Sequence, residues 1–216
     1  MEAFILGLIS VIFINIILSG DNAVVIALAC RNLPELQRKK AVVLGSVGAI
    51  ILRVLLTFVA VKLLAIPYMQ VVGGALLLWI ALSLLKGEDE GEVKGGNSLI
   101  SAIKTIVVAD LVMSLDNVVA VAGVAHGNIT LIIIGLLVSI PLIVWCSQLL
   151  MKIMQKFPII VYIGSALLAY TAGEMILKDK GLEPYLGHLT NMGHLALPVG
   201  LAVIVLVVGI FAGKQK

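Results

Sequence analysis

Seven predominantly apolar stretches follow one another along this chain, and most polar residues lie in short segments between them. A helix that crosses the hydrocarbon core of a bilayer needs about 20 such residues. The stretches are 3–30, 41–65, 68–85, 99–125, 129–151, 158–177 and 197–213. We therefore predict an all-α membrane protein with seven transmembrane helices.

The composition excludes a soluble domain, because 61% of the 216 residues are hydrophobic and only 12% are charged. Soluble domains carry about a quarter of charged residues. The first stretch has no basic leader and precedes others like it, so we expect it to be retained. The basic residues lie at the ends of stretches, which argues against nucleic-acid binding. Cys30 and Cys146 lack CxxC spacing and are expected to be packing residues.

Basic residues are distributed unequally between the two sides of the predicted bundle. The first, third and fifth connections and the C-terminus hold eleven Lys and Arg residues, against Lys62, Lys178 and Lys180 on the other side. Arg53 falls inside the second stretch. The positive-inside rule then places the N-terminus outside the cell and the C-terminus in the cytosol. The predicted location of the protein is the cytoplasmic membrane.

The chain contains an internal repeat, in which FINIILSGDNAVVIALA (13–29) aligns with VADLVMSLDNVVAVAGV (108–124) at an offset of 95 residues. The aligned pairs are Asn15 and Asp110, Asp21 and Asp116, Asn22 and Asn117, and, further on, Gly45 and Gly135, and Gly73 and Gly164. Each half has three stretches, an odd number, so the second half enters the membrane from the opposite face. Such inverted repeats are typical of secondary transporters.

The repeat predicts the domain organisation. The parts are a first three-helix repeat (1–86), an acidic, Gly-rich cytosolic linker (87–97), a second three-helix repeat (98–178), an extracytoplasmic loop (179–196), and a seventh helix with a cytosolic tail (197–216). We expect a solvated linker. The loop contains Asp179, Glu183, His188 and His194, and an ordinary loop is favoured over a loose metal site. Metal binding by either segment is left open.

Each half carries an Asp-Asn pair inside an apolar span. An ionised Asp at the centre of such a helix costs about 2.5–3.5 kcal/mol, so it usually faces a cavity, a partner or an ion. The first stretch is longer than the hydrocarbon core, so its helix must tilt or break. Since Ser, Gly, Asp and Asn are weak helix formers, we predict local unwinding at Ser19–Asn22 and Ser114–Asn117, with carbonyls freed as ligands.

Two facing carboxylates from the repeated motifs suggest a metal site. We predict that Asp21 and Asp116 provide the charge, and the remaining oxygen ligands are Asn22, Asn117, Asn15 and Asp110. Oxygen ligands without Cys or His suit Mn²⁺, Ca²⁺ and Mg²⁺. The alternative is that the pairs only hold helices together by hydrogen bonds, which is less favoured because the pair occurs twice.

Two further ionisable residues lie inside spans. Glu174 is interpreted as an additional metal ligand or a proton carrier, although a hydrogen-bonded or snorkelling Glu is an equal alternative. Asp110 is a second candidate proton carrier, since a buried carboxyl without an ion favours the protonated form. Arg53 is the candidate for balancing a carboxylate when the metal site is empty.

The two motifs, LSGDNAVVIALACRNLP and MSLDNVVAVAGVAHG, and the spacing between them resemble the TerC family, named for a tellurite-resistance determinant. The resemblance covers nearly the whole chain. It implies an exporter of divalent cations with manganese as the first candidate substrate. It also implies a relation to a broader superfamily with amino-acid and cadmium exporters.

We therefore predict a secondary transporter, not an enzyme, that exports Mn²⁺, with proton antiport as one coupling. Its predicted partners are the lipid bilayer and the cation, and a homo-oligomer is left open. One alternative is an exporter of cationic amino acids or other small solutes. Another is a non-transporting scaffold that recruits a partner through the linker. An intramembrane aspartyl hydrolase is disfavoured by the Asn after each Asp and by the inverted repeat.

Overall fold

A computed structural model describes residues 2–63, 66–86, 99–125, 128–182 and 191–213, and the side chains of a few helical positions, among them Asp116, lie outside that description. The described residues form eight α-helices and no strand. The helices are α1 (Glu2–Leu18), α2 (Gly20–Cys30), α3 (Glu35–Leu63), α4 (Met69–Lys86), α5 (Leu99–Val124), α6 (Ile129–Lys156), α7 (Ile159–Leu177) and α8 (Asn191–Gly213). The predicted all-α class is confirmed.

Several helix ends differ from the predicted spans. The second span was placed at 41–65, whereas α3 begins at Glu35, directly after Pro34. The first turns of α3 are polar, and Glu35 and Lys39 form an exposed ion pair there at 3.2 Å. Hydropathy marks the part of a helix that suits lipid, but a helix can continue into water when polar side chains cover it. For the same reason α6 continues to Lys156 and α8 begins at Asn191.

Several helices are suited to a membrane by length and composition. Among the described residues, Glu35–Val59, Ile129–Lys156 and Ile159–Leu177 are long and apolar enough to cross one. α1 and α2 add a fourth span if the bent pair counts as one, and Met69–Leu85 and Leu195–Phe211 are shorter apolar helices. These findings agree with a membrane protein, and the count of seven spans stays a prediction.

The first compact unit comprises Met1–Leu63 and Leu99–Lys152. Within this unit, α3 packs extensively along α5. A buried apolar cluster joins α1, α5 and α6. Its fully or almost fully buried members are Val11, Val121, Ala125, Leu131, Ile132 and Leu136. The unit takes two spans from each predicted half, so the repeat and the compact units divide the chain in different ways.

Two glycines in the first unit lie where helices approach closely. A methyl group on Gly45 of α3 would come within 2.8 Å of Ile106 Cδ1 on α5, and one on Gly135 of α6 would overlap Val11 of α1. The two contacts are equivalent in the alignment, because Gly45 aligns with Gly135 and Val11 aligns with Ile106. Each predicted half therefore packs a glycine of its second span against the first span of the other half.

The second compact unit comprises Leu64–Ser98 and Ile153–Lys216 and contains α4, α7 and α8. α7 packs along both α4 and α8. The buried centre of this three-helix arrangement is Leu85, Ala169 and Val205, one residue from each helix. This unit combines the third span of each predicted half with the seventh span.

Asp179, just after α7, closes the N-terminus of α4. Its Oδ1 accepts the amides of Tyr68 at 2.8 Å and Gly181 at 2.7 Å, and its Oδ2 accepts those of Gln70 at 2.9 Å and Val71 at 3.3 Å. Burial alone would raise the pKa of Asp179, but these amide donors outweigh it and lower the pKa below the ordinary value of 3.8. The carboxylate therefore serves as a helix cap.

Replacing Asp179 with Asn is expected to destabilise the protein by about 1–2 kcal/mol at neutral pH, since a charged cap with two acceptor oxygens becomes neutral with one. The folded-state pKa is lowered, so this stabilisation is present above the ordinary pKa and is lost as the pH falls through the folded-state value. Thermal unfolding in detergent should show the difference at about pH 7 and a smaller one at about pH 3. A gap that widens with acid would contradict this role.

Candidate functional site

The first predicted span is broken within its Ser-Gly-Asp-Asn motif. α1 ends at Leu18, α2 begins at Gly20, and the segments Leu6–Ile16 and Gly20–Cys30 meet at 45°. Ser19 between them has φ −108° and ψ 6°, outside the helical region. The prediction that this span tilts or breaks is confirmed, with a break at Ser19.

The break separates the Leu18 carbonyl from the Asn22 amide, and both have new partners. In an uninterrupted helix the Asn22 amide would donate to the Leu18 carbonyl. Here the Asn22 amide donates to Oδ1 of Asp21 at 2.9 Å, and the Leu18 carbonyl accepts Nδ2 of Asn117 at 3.0 Å. The motif of the second half therefore stabilises the break in the motif of the first.

The second motif does not unwind as predicted. α5 is a continuous helix from Leu99 to Val124 and runs through Ser114–Asn117. The prediction of local unwinding there is wrong, because weak helix propensity does not break a helix whose backbone bonds remain the best available partners. The backbone of Asp116 is part of this helix, and its side chain lies outside the described part of the structure. The expected meeting of Asp21 and Asp116 stays a prediction.

A small cavity lies beside the break and is enclosed by helices of the first unit. Its polar lining residues are Asn22, Ser46, Arg53, Asp110 and Ser139, and apolar residues of α2, α3, α5 and α6 complete the wall. The volume open to the centres of water-sized molecules is about 20 Å³. That is room for about one water molecule or one ion without most of its hydration shell.

Several polar atoms at this cavity are buried and have no hydrogen-bond partner among the described residues. They are Nδ2 and Oδ1 of Asn22, Oγ of Ser46 and Nε of Arg53. Leaving a buried polar group unsatisfied costs about 1–3 kcal/mol, so such atoms usually contact a water molecule or a ligand. The complete side-chain amide of Asn22, which is 3% exposed, is thus available to a guest in the cavity.

A buried ion pair forms one wall of the cavity. Arg53 of α3 donates through Nη2 to Oδ1 of Asp110, and its Nη1 lies 3.4 Å from Oγ of Ser19. The other carboxylate oxygen of Asp110 accepts the hydroxyl of Ser114 at 3.0 Å. The structure therefore brings the candidate charge-balancing residue and one candidate ligand into direct contact, and their formal charges cancel.

The other candidate ligands of the first motif lie nearby. Asp21 is partly buried, and it lies within electrostatic range of Arg53 and Asp110. Asn15 of α1 is 1% exposed, and no described residue provides a hydrogen-bond partner for its Nδ2. It faces α6, because a methyl group on Gly135 would lie 3.6 Å from that nitrogen. Neither residue is among those that line the cavity.

Glu174 belongs to α7 in the second unit, where it lies one turn after Tyr170. The lining of the cavity comes entirely from the first unit. Glu174 therefore belongs to a different compact unit from the residues that line the cavity. Its roles as a ligand or proton carrier stay predictions.

The described residues contain no group of three or more His, Cys, Asp or Glu side chains that could hold a metal ion. The Asp116 side chain is not among these described groups. The described oxygen donors at the cavity are one carboxylate, one amide and two hydroxyls, which are hard ligands of the kind that Mn²⁺, Ca²⁺ and Mg²⁺ accept. The cavity can therefore offer a cation polar oxygens but little net negative charge of its own.

The acidic linker and most of the loop with the histidines lie outside the described residues, as do the side chain of His194 and Glu183. Of the four loop residues considered for a metal site, Asp179 is used as the cap of α4. The proposed loop metal site therefore has no support from its described member.

Sequence reasoning missed Ser46 and Ser139, which face the cavity from α3 and α6. Serine is common between membrane helices as a packing residue, so a single serine in an apolar stretch indicates little. The signal that was present is position: Ser46 follows Gly45 and lies two turns before Arg53, on the helix that packs against α5.

The whole chain, residues 1–216, matches the model of the integral membrane protein TerC family. The chain belongs to the TerC family. A relative in Bacillus subtilis, the uncharacterized membrane protein YjbE, is 46% identical over 209 residues, which cover 96% of this chain and 95% of YjbE. Both findings support the family resemblance seen in the two motifs.

More distant TerC-like relatives also carry no assigned activity in their names. The uncharacterized membrane protein YceF of Bacillus subtilis is 27% identical and covers 69% of this chain and 62% of its own length. The UPF0053 inner membrane protein YgdQ of Escherichia coli K12 is 22% identical, with 82% of each chain covered. No solved structure matches this TerC family chain.

Proposed function

We propose that this protein is a secondary transporter that exports a divalent metal cation, with Mn²⁺ as the first candidate, through a site built around the two Asp-Asn motifs. The observation that carries the proposal is the buried amide of Asn22, which has no partner in the described ranges of the chain and lines a small polar cavity beside a helix break. Broken membrane helices with free polar groups near the midplane are how secondary transporters bind ions.

The proposed site holds a cation between Asp21 and Asp116, and Asn22 and Asn117 contribute amide oxygens. Asp110, Asn15 and Glu174 are proposed as assisting groups, and Asp110 or Glu174 as a proton carrier. In the absence of the cation, Arg53 neutralises Asp110. A divalent ion would compete with the Arg53 guanidinium for the Asp110 carboxylate. Binding of the cation would therefore be coupled to separation of Arg53 from Asp110.

The proposed orientation follows the charge bias of the connections, with the N-terminus outside and the C-terminus in the cytosol of a cytoplasmic-membrane protein. Export from the cytosol then corresponds to uptake into inside-out vesicles. Two three-helix inverted repeats and a seventh helix are the proposed architecture, and the reciprocal contacts of Gly45 and Gly135 support it.

A second candidate is an exporter of small solutes that carry a carboxylate, such as cationic amino acids. The observation that favours it is the Arg53 guanidinium in the cavity wall, with Nε free of a partner. Arginine binds carboxylates with paired donors. The cavity volume of about 20 Å³ is small for an amino acid, so this candidate requires a wider state of the protein.

The purified protein in liposomes is expected to take up Mn²⁺ faster than protein-free liposomes, as read by a trapped metal-sensitive dye. Excess lysine or arginine should leave the uptake unchanged if the metal is the substrate. Competition by the amino acid, together with uptake of the labelled amino acid, would favour the second candidate. Uptake of neither would contradict both transport proposals.

A further inference from the structure

The two repeated halves share one kind of close helix contact but differ at their motifs. The contact of Gly45 with Ile106 and that of Gly135 with Val11 are exchanged by the alignment of the halves. The motifs differ, because the first span is broken at Ser19 while α5 is continuous at the aligned Ser114. The first unit therefore has an asymmetric pair of motifs beside one matched pair of glycine contacts.

The asymmetry extends to the two aligned asparagines. Asn117 donates through Nδ2 to the carbonyl of Leu18, which the break has freed. Its counterpart Asn22 is buried, and neither atom of its side-chain amide has a partner within the described part of the structure. The counterpart of Leu18 is Met113, whose carbonyl is engaged inside the continuous helix α5.

We infer that the two motifs exchange the helix break. In the second state the first span is continuous, α5 is broken at Ser114, and Asn22 donates to the freed carbonyl of Met113. Each asparagine thus serves as the reversible cap of the opposite helix. The inference deepens the proposed transport function, and it rests on the inverted repeat assigned to that function.

The two states have closely matched hydrogen bonding. In each state the broken span loses backbone hydrogen bonds, and the asparagine of the other half takes one freed carbonyl. The unused asparagine is left unpaired in each state, which keeps the free energies of the two states close. Because the halves enter the membrane from opposite faces, exchanging the break exchanges the face towards which the motif opens.

The test uses accessibility of the cavity, with no metal present. Ser139, which lines the cavity, is replaced by Cys in a background in which Cys30→Ala and Cys146→Ser remove the two native thiols. A membrane-impermeant maleimide then labels the reporter from one face in oriented vesicles. The labelling rate reports the fraction of protein in which the cavity opens to that face.

Asn117→Leu removes the cap of the state described here and should favour the second state, whereas Asn22→Leu should favour the first. The labelling rates of the two variants should shift in opposite directions by about two- to tenfold. This factor corresponds to the net free energy of one hydrogen bond. The double variant should return to a rate near that of the parent. Shifts in the same direction, or no shift in either variant, would overturn the inference.

A second measurement keeps the test decisive if a leucine variant does not fold. In Asn22→Ser and Asn117→Ser the shorter side chain cannot reach the opposite carbonyl, and amide exchange is followed by mass spectrometry. Exchange around Asn117 should rise in Asn117→Ser, as α5 opens more often, and should fall in Asn22→Ser. Equal exchange in both variants would also overturn the inference. If the paired variants shift in opposite directions but the protein transports no metal, only the proposed substrate is contradicted and the exchange of the break is supported.

Discussion

Replacing Asp21 or Asp116 with Asn is expected to lower manganese transport about tenfold or more. Each substitution keeps a side-chain oxygen of similar size and position but removes one negative charge. Two unit charges 4 Å apart attract by about 4 kcal/mol at an effective dielectric constant of ~20, so a divalent ion loses several kcal/mol with either carboxylate. Even part of that loss exceeds the 1.4 kcal/mol that corresponds to a factor of ten.

Asn is more informative than Ala at Asp21, because its amide oxygen can still accept the Asn22 amide and preserve the break. Transport should be measured as Mn²⁺ uptake into inside-out vesicles at matched protein levels, alongside growth of cells in manganese. Glu35→Gln is the matched control, since Glu35 is an exposed carboxylate on α3. Transport at the parental rate in both aspartate variants would end the metal-site proposal.

The helix break could be predicted from the sequence because its causes are local. The first apolar stretch is too long for the bilayer, and Ser19-Gly20-Asp21-Asn22 combines four weak helix formers near its middle. The equivalent motif in α5 has Leu115 where the first has Gly20, so its helix propensity is higher by about 1 kcal/mol at that position. That difference was present in the sequence and indicates which motif breaks in the described state.

The partners of the buried charges could not be predicted in the same way. Arg53 and Asp110 are 57 residues apart, and their contact depends on α3 packing along α5. The same packing brings Ser46 to the cavity, and only its position after Gly45 and two turns before Arg53 distinguishes it from a packing serine. Tertiary contacts of this kind depend on which faces of the helices meet, and periodicity is weak in spans that are apolar nearly all round.

The division into compact units also could not be predicted from the sequence. The repeat groups three consecutive spans in each half, whereas the compact units group the first two spans of both halves and the third spans with the seventh. Sequence similarity records how the halves correspond, while contacts record which helices bury each other. The Gly45 and Gly135 contacts illustrate the difference. Each contact links residues of different repeat halves, and both contacts lie inside one compact unit.

Replacing Arg53 with Leu is expected to destabilise the folded protein by about 3–5 kcal/mol, because it leaves the Asp110 carboxylate buried without its counter-ion. Asp110→Leu should have a comparable effect through an unpaired Arg53. The double variant Arg53→Leu with Asp110→Leu should recover most of the loss, since replacing both members of a buried ion pair by apolar groups is often nearly neutral. Unfolding in detergent micelles, analysed as a double-mutant cycle, measures the coupling.

Lys39→Leu is the matched control for this cycle, because Lys39 forms an ion pair with Glu35 on the same helix but at its exposed end. Exposed pairs contribute about 0–1 kcal/mol, so this variant should unfold close to the parent. If Arg53→Leu were as mild as Lys39→Leu, the buried pair would not hold the cavity wall together. The guanidinium could then not serve as the group that a transported cation must displace from Asp110.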